Sequence, residues 1–322
     1  MDGERPPGRF LRDASLAVLP GLIPTREARS WLVDWRGTRG VLRRRPLPAG
    51  SAARGHLLAD VRWLHDLLAG LAGPGFPSPR PLPSFGGRSW TLAGGQVWEI
   101  VSFLPGHEVG WDDEPPMAEI GTMLARYHAA ARRIEVTGQR PGALPLADVP
   151  ATLLSGQLGA ACPDAERAAE IRRLAEQLAG DLEACGHPAA ARIVVHGDFT
   201  NHNVIAGGAP PRPTGVIDFQ LAHVEVPVAD IGYGLWRSGR PHQDADVLDL
   251  ARLRQFIRGY AEVARLPAGD ARAIPVFLYG RGLQMIAKRA RAGRAGTGML
   301  AEVQWLSANA AAIADAVAAA LP

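Results

Sequence analysis

The sequence predicts an α+β protein in two lobes, a small antiparallel sheet with one helix followed by a mostly helical remainder. Three observations carry that reading. The first third holds short strand-like segments, turn signals and a single helical repeat. The remainder runs mainly in helical periods. A β-rich island between residues 193 and 217 interrupts those helices. The 322 residues suffice for two cores, and 47% hydrophobic with 21% charged residues excludes wholesale disorder. We place the boundary at residue 104, giving an N-lobe of residues 1–104 and a C-lobe of residues 105–322.

Residues 29–35 (RSWLVDW) alternate loosely, and the stretch from Gly37 to Gly40 supplies a turn. Val41 and Leu42 then lead into Arg43, Arg44 and Arg45, so two short strands joined by a tight turn are expected. Leu57, Leu58, Val61, Leu64, Leu68 and Leu71 recur at three- and four-residue steps and predict a helix over 54–71. Residues 73–83 are rich in Pro and Gly and read as a loop. Residues 97–104 (VWEIVSFL) read as a strand stopped by Pro105-Gly106. Met117, Ile120, Leu124 and Tyr127 mark a helix, and residues 168–182 another, with a weakly patterned segment at 137–163 between them. Short strands follow at Ile193 to Val195, Val204-Ile205 and Val216-Ile217, the last two joined by a turn over 207–213. Helices resume near Val247. There is no internal repeat.

Composition excludes several classes. The formal charge is only +3, and the basic residues are Arg apart from Lys288, the single lysine. No basic stretch is interleaved with aromatics, so a nucleic-acid partner is not expected. No apolar run approaches a membrane span, and the MDGERPPGRFLRD start lacks an apolar signal core. Cys162 and Cys185 lack metal-site spacing and are too few for a disulfide framework, which points to a reducing, cytoplasmic setting.

The β-rich island carries the chemistry: His196-Gly197-Asp198-Phe199-Thr200-Asn201-His202-Asn203, then Val216-Ile217-Asp218-Phe219. Asp198 leaves a strand, Asn203 stands where the chain re-enters one, and Asp218 ends the next. Three oxygen-bearing side chains are thus expected at the ends of adjacent short strands. Mg²⁺ takes a few carboxylate or amide oxygens, with phosphate and water completing its octahedron. Asn203 and Asp218 are the candidate metal ligands. Asp198 is the candidate base that orients an attacking hydroxyl and takes its proton. Phosphoryl transfer asks a protein mainly for alignment and charge neutralisation, which these groups can supply.

HGDxxxxN followed by an apolar-apolar-Asp-Phe strand resembles the catalytic and metal loops of the aminoglycoside phosphotransferase family, which has the protein-kinase-like fold. The resemblance spans most of the chain. Val41-Leu42-Arg43 is similar to the strand whose basic residue contacts nucleotide phosphates. Asp60 sits where such kinases place the acid that pairs with that residue. Val101-Ser102-Phe103-Leu104-Pro105-Gly106 resembles the hinge, which implies nucleotide-base contacts at Val101, Ser102 and Leu104. Residues 121–128 resemble the long helix opening the C-lobe, and Asp230 matches the family's structural Asp. The resemblance implies Mg²⁺ and ATP or GTP as donor, with direct in-line transfer to a hydroxyl.

Several positions depart from the pattern. Arg43 replaces the usual Lys; it clamps phosphate bidentately, or it is a solvated edge-strand arginine. The stretch just before Trp31 (LPGLIPTREARS) holds only Gly21 and no glycine-rich loop, so phosphate cover would fall to residues 25–30. Gln220 follows Asp218-Phe219 where protein kinases have Gly, and Thr200 replaces their Lys, which favours a small-molecule acceptor. His196 reads as a buried residue that shapes its loop. His202 faces substrate or solvent, and His223 and Glu225 meet substrate or lie in an exposed loop. Trp98, Trp111 and Trp236 read as packing residues.

Between Asp270 and Glu302 stand six basic residues (Arg272, Arg281, Lys288, Arg289, Arg291, Arg294) and no acid. If they face the acceptor, it is neutral or anionic rather than polycationic; otherwise they form a solvated face. Asp112-Asp113-Glu114 offers an opposing anionic rim. The expected activity is a kinase of a small molecule, an antibiotic or other natural product or a metabolite. The alternatives are a kinase of Ser or Thr in a peptide and a silent nucleotide-binding pseudokinase.

Overall fold

The computed structural model describes residues 16–19, 29–83, 87–110, 115–135, 138–156, 158, 162–294 and 297–321. Gly21, residues 25–28, Trp111 and Asp112-Asp113-Glu114 lie outside the described residues. The chain divides into two compact units, Met1–Pro105 and Gly106–Pro322.

The first unit is a five-stranded sheet in the order β1-β2-β3-β5-β4, comprising Leu16–Leu19, Arg29–Trp35, Thr38–Pro46, Gln96–Ser102 and Trp90–Ala93. All four pairings are antiparallel. The β2–β3 turn lies at Arg36 (φ 52°) and Gly37 (φ 77°), one step earlier than the sequence suggested. Two consecutive positive φ values match the twist of a two-residue hairpin. Gly40 is therefore not a turn residue. It lies inside β3, where a Cβ would come 3.0 Å from Ile100 Cγ2 and 3.2 Å from the Val101 carbonyl. Strand β5 ends at Ser102, short of the expected 104. Strand β4 was not expected, although Gly94-Gly95 between two apolar segments is a hairpin signal.

Helix α1 (Ser51–Ala72) buries Val61, Trp63, Leu64, Leu67, Leu68 and Leu71. Each such Leu or Val contributes about 1.5–3 kcal/mol by leaving water. The period-2 alternation of β5 divides the unit's core. Val97 packs with Val61 and Trp90, whereas Trp98 and Ile100 pack with Val33, Trp35 and Leu42.

The second unit contains helices α2 (Met117–Ala131), α3 (Val149–Leu154), α4 (Ala165–Ala184), α5 (Pro227–Ser238), α6 (Leu250–Ala261), α7 (Ala268–Arg291), α8 (Leu300–Ala308) and α9 (Ala310–Ala318). Two glycines allow α2 and α6 to approach closely. A Cβ at Gly121 would sit 2.0 Å from the Phe256 carbonyl oxygen, and one at Gly259 1.8 Å from that of Ala118. Helix α5 was not expected, and Gly232 and Gly234 lower its helix propensity. Both are packing glycines: a Cβ would lie 2.6 Å from Phe277 Cβ at Gly232 and 2.7 Å from the Phe199 carbonyl at Gly234.

The β-rich island is two small sheets, not one. β7 (Ile193–Val195) pairs with β10 (His223–Glu225). β8 (Val204–Gly207) lies between β6 (His107–Glu108) and β9 (Arg212–Val216). Asp198 therefore leaves a strand that is not a neighbour of those beside Asn203 and Asp218, and the loop itself must bring them together. Among the described residues, no helix is long and apolar enough to cross a membrane.

Candidate active site

The loop after β7 is built around Asp230 in the first turn of α5, which is fully buried. Its Oδ2 accepts from the His196 N–H at 2.7 Å and its Oδ1 from the Gly197 N–H at 2.8 Å. His128 Nε2 lies 3.3 Å from Oδ2. Burial alone would raise the Asp230 carboxyl, but the bond and charge of His128 outweigh it and hold the group below its ordinary value. Gly197 has φ 75°, and a Cβ there would meet the Leu221 carbonyl at 2.1 Å. Glycine is required on both counts.

His196 is fully buried. Its Nδ1 accepts from the Asp198 N–H at 3.3 Å and its Nε2 donates to the Ile217 carbonyl at 3.0 Å. These contacts tie the segment before Asp198 to the one before Asp218. Phe219 and Phe199 pack on the same imidazole at 4.6 and 5.5 Å between centroids. The Phe following each Asp thus packs the two loops together.

Asn203 lies in a single 3₁₀ turn that enters β8. Its Nδ2 donates to the Asp198 carbonyl at 2.8 Å and to Asp198 Oδ2 at 3.2 Å. With the nitrogen committed, Oδ1 remains as an acceptor. Asp218 has left-handed backbone (φ 60°, ψ 63°) and follows Ile217, whose N–H bonds the Asn203 carbonyl at 2.8 Å. Asp218 Oδ1 is buried without a hydrogen-bond partner among the described residues. A buried carboxylate oxygen left bare is costly unless something else satisfies it. One carboxylate and one amide oxygen suit Mg²⁺ that keeps phosphate and water ligands. Among the described residues no three His, Cys, Asp or Glu side chains form a self-sufficient metal cage. The donor set fits a cation that arrives with a nucleotide.

Asp198 is 31% exposed and opens on a pocket of about 270 Å³ lined by Thr200, His202, Trp236, Arg237 and Arg281, among others. Sequence reasoning grouped Arg281 with five other basic residues and gave it no contact. It is 1% exposed, with Nη2 3.4 Å from Asp198 Oδ1. Arg272, Arg289, Arg291 and Arg294 are exposed, while Lys288 is half-buried. The basic stretch is thus part solvated face and part site. Burial and the charge of Arg281 push the Lys288 amine down to about 7. His223 and Glu225 are buried, not in an exposed loop. Glu225 accepts from His187 Nε2 at 2.7 Å and from the Leu146 N–H at 3.1 Å. Trp98 and Trp236 are buried.

In the first unit Arg43 and Arg45 take different roles. Arg45 pairs with Asp60 at 3.3 Å and with Glu99 at 3.0 Å. The expected Asp60–Arg43 pair is not formed. Alternation puts both arginines on one side of β3, and the partner of Asp60 is the one two residues along. Arg43 stands across the ladder from Glu99, whose carboxyl its charge helps to lower, and its side chain makes no ion pair or hydrogen bond among the described residues. Glu99 also meets His65 Nε2 at 2.8 Å. Burial would raise Glu99, but the His65 bond and the Arg45 charge lower it to about 2. Val101 is held in the sheet opposite Val41. Ser102 is committed to Arg80, its N–H donating to the Arg80 carbonyl at 2.8 Å and its Oγ accepting from the Arg80 N–H at 2.9 Å. Leu104 lies beyond the strand, and its backbone makes no hydrogen bond among the described residues.

The buried histidines set an acid limit. Burial lowers His223 from 6.5 to about 4, and burial also lowers His128. The unfolded chain takes up these protons near 6.5 while the folded chain resists. Stability present above 6.5 is therefore lost as pH falls toward 4. Glu99 continues the loss below its ordinary 4.5. Denaturant melts should show stability falling by on the order of 3 kcal/mol between pH 7 and pH 4 from His223 alone. A flat profile over that range would contradict the buried neutral state.

A sequence model of the phosphotransferase enzyme family matches residues 23–266. Homoserine kinase of Afipia carboxidovorans is 27% identical over 233 residues, covering 72% of this chain and 68% of its own. Homoserine kinase of Methylobacillus glycogenes is 29% identical over 234 residues, covering 71% and 68%. Among solved structures, a microcompartment-associated aminopropanol kinase superposes with a TM-score of 0.63 at 18% identity, covering 95% of this chain and 93% of its own. An aminoglycoside phosphotransferase in ternary complex with ADP and hygromycin B gives 0.59 at 17% identity, covering 96% and 97%. These likenesses show a protein-kinase-like fold.

Proposed function

Because the chain belongs to the phosphotransferase enzyme family, we propose that it transfers the γ-phosphoryl group of Mg²⁺-bound ATP or GTP to a hydroxyl of a small molecule. The observation that supports this reading is the contact of Asn203 with Asp198 at the edge of an open pocket, with the chain just before Asp218 tied to Asn203 and His196 through Ile217. Asp198 holds the acceptor hydroxyl and takes its proton as the oxygen bonds to the γ-phosphorus. The bond from that phosphorus to the β–γ bridging oxygen breaks, and its electron pair leaves on the nucleoside diphosphate. No phosphoenzyme forms on this route. Asn203 and Asp218 would hold Mg²⁺, which when bound neutralises phosphate charge. Arg43, whose side chain makes no ion pair or hydrogen bond among the described residues, would anchor phosphate, with Asp60 and Glu99 holding Arg45. Val101 and Ser102 would flank the nucleotide base, and Leu104 would supply free backbone groups to it.

The homoserine kinases among the relatives favour a metabolite of amino-acid size over a polycationic antibiotic as acceptor. The unpaired Cys162 and Cys185 fit a reducing, cytoplasmic setting. Calorimetry with ATP and GTP, with and without Mg²⁺, tests the donor half. Wild type should bind nucleotide more tightly with Mg²⁺, and Asp218→Ala should lose that gain by roughly tenfold or more. Wild-type protein that binds neither Mg-nucleotide would overturn the proposal.

A further inference from the structure

We infer that Arg237 and Arg281 form an anion subsite in the pocket beside Asp198, and that the acceptor is a small hydroxy compound carrying a carboxylate. The inference rests on the phosphotransfer reading and adds the chemical class of the acceptor.

Arg281 is held rigidly. Its guanidinium stacks on Tyr233 at 4.8 Å, and its Nη1 donates to Gln284 Oε1. Gln284 is itself anchored through Nε2 to the Leu144 carbonyl at 2.6 Å. The ion-pair contact of Arg281 with Asp198 is long at 3.4 Å, and its buried Nε has no hydrogen-bond partner among the described residues. A nearly fully buried cation with spare donors calls for an anion.

Arg237, on α5, lines the same pocket and lies over the Trp236 ring at 5.3 Å. Its side chain is exposed and makes no ion pair or hydrogen bond among the described residues. The neighbouring Arg240 is bound by Glu302 and is not available. Among the described residues, Asp198 is the sole carboxylate lining the pocket, set against two guanidinium groups. The balance is one positive charge, which a single carboxylate neutralises and a phosphate dianion would exceed. A polycationic acceptor would be repelled.

The two arginines would act differently if they served the transferred phosphoryl group. Loss of Arg237 would then lower kcat and leave acceptor KM alone. The experiment uses full-length protein with Mg-ATP and follows ADP release. The panel is short hydroxy acids and hydroxy amino acids, their methyl esters, and the matching amino alcohols. The acids should exceed their esters in kcat/KM by roughly tenfold or more, the scale of one charge-assisted contact. Arg237→Gln should erase that preference through acceptor KM, with nucleotide KM unchanged. Arg281→Lys, which keeps the charge, should retain part of it. Esters or amino alcohols used as well as acids would overturn the subsite and leave phosphotransfer standing. So would an Arg237→Gln protein that loses kcat at unchanged acceptor KM, or a panel with no turnover by protein that still binds Mg-nucleotide. Failure to bind Mg-nucleotide would overturn the phosphotransfer reading itself.

Discussion

Asp198→Asn should lower kcat by roughly 10²–10⁴-fold, the range over which a positioned general base contributes. The substitution is nearly isosteric, so the new amide still fills the space beside Asn203 Nδ2 and Arg281 Nη2. It cannot accept the hydroxyl proton. Nucleotide affinity should stay within a few-fold of wild type, because Asp198 is not one of the proposed metal ligands. Asp198 is 31% exposed, but the change takes the carboxylate away from the buried Arg281, so the melting temperature should fall by a few degrees. Steady-state kinetics with calorimetry on the same preparation separates the two effects. An Asp198→Asn protein that turns over at the wild-type rate would remove the base from the mechanism.

Asp230→Ala should be the most destabilising single change near the site, by about 3–5 kcal/mol. The carboxylate accepts two buried backbone N–H groups, those of His196 and Gly197, and contacts the buried His128. Alanine strands all three donors at once. Because they hold the turn that aims Asp198, activity should fall along with stability. Asp230→Asn should recover only part of the loss, since its amide nitrogen faces an N–H with nothing to accept it. Urea unfolding monitored by circular dichroism measures the difference. A variant that unfolds at the wild-type midpoint would show that the turn is held by something else.

The sequence made Asp198, Asn203 and Asp218 legible because their spacing must survive any surrounding fold. Four residues separate the first pair, and a short hairpin returns the chain to the third. It could not say that β7 pairs with β10, leaving the site's strands in separate sheets. That pairing is set by residues more than twenty positions apart. Arg281 escaped notice for the same reason, standing 83 residues from the carboxylate it touches. The choice between Arg43 and Arg45 was equally hidden, since both lie on one side of β3. A signal was present in Glu99, an acid inside the apolar segment VWEIV. Buried carboxylates need partners, and Arg45 and His65 are its partners. Helix α5 was obscured because Gly232 and Gly234 lower helix propensity, while their purpose is close packing against Phe277 and Phe199.

The most direct measurement is anomalous diffraction from crystals grown with Mn²⁺ and a non-hydrolysable triphosphate analogue. The account predicts a metal peak in contact with both Asp218 Oδ1 and Asn203 Oδ1. A metal bound elsewhere, with the Asp218 oxygen still bare, would contradict it.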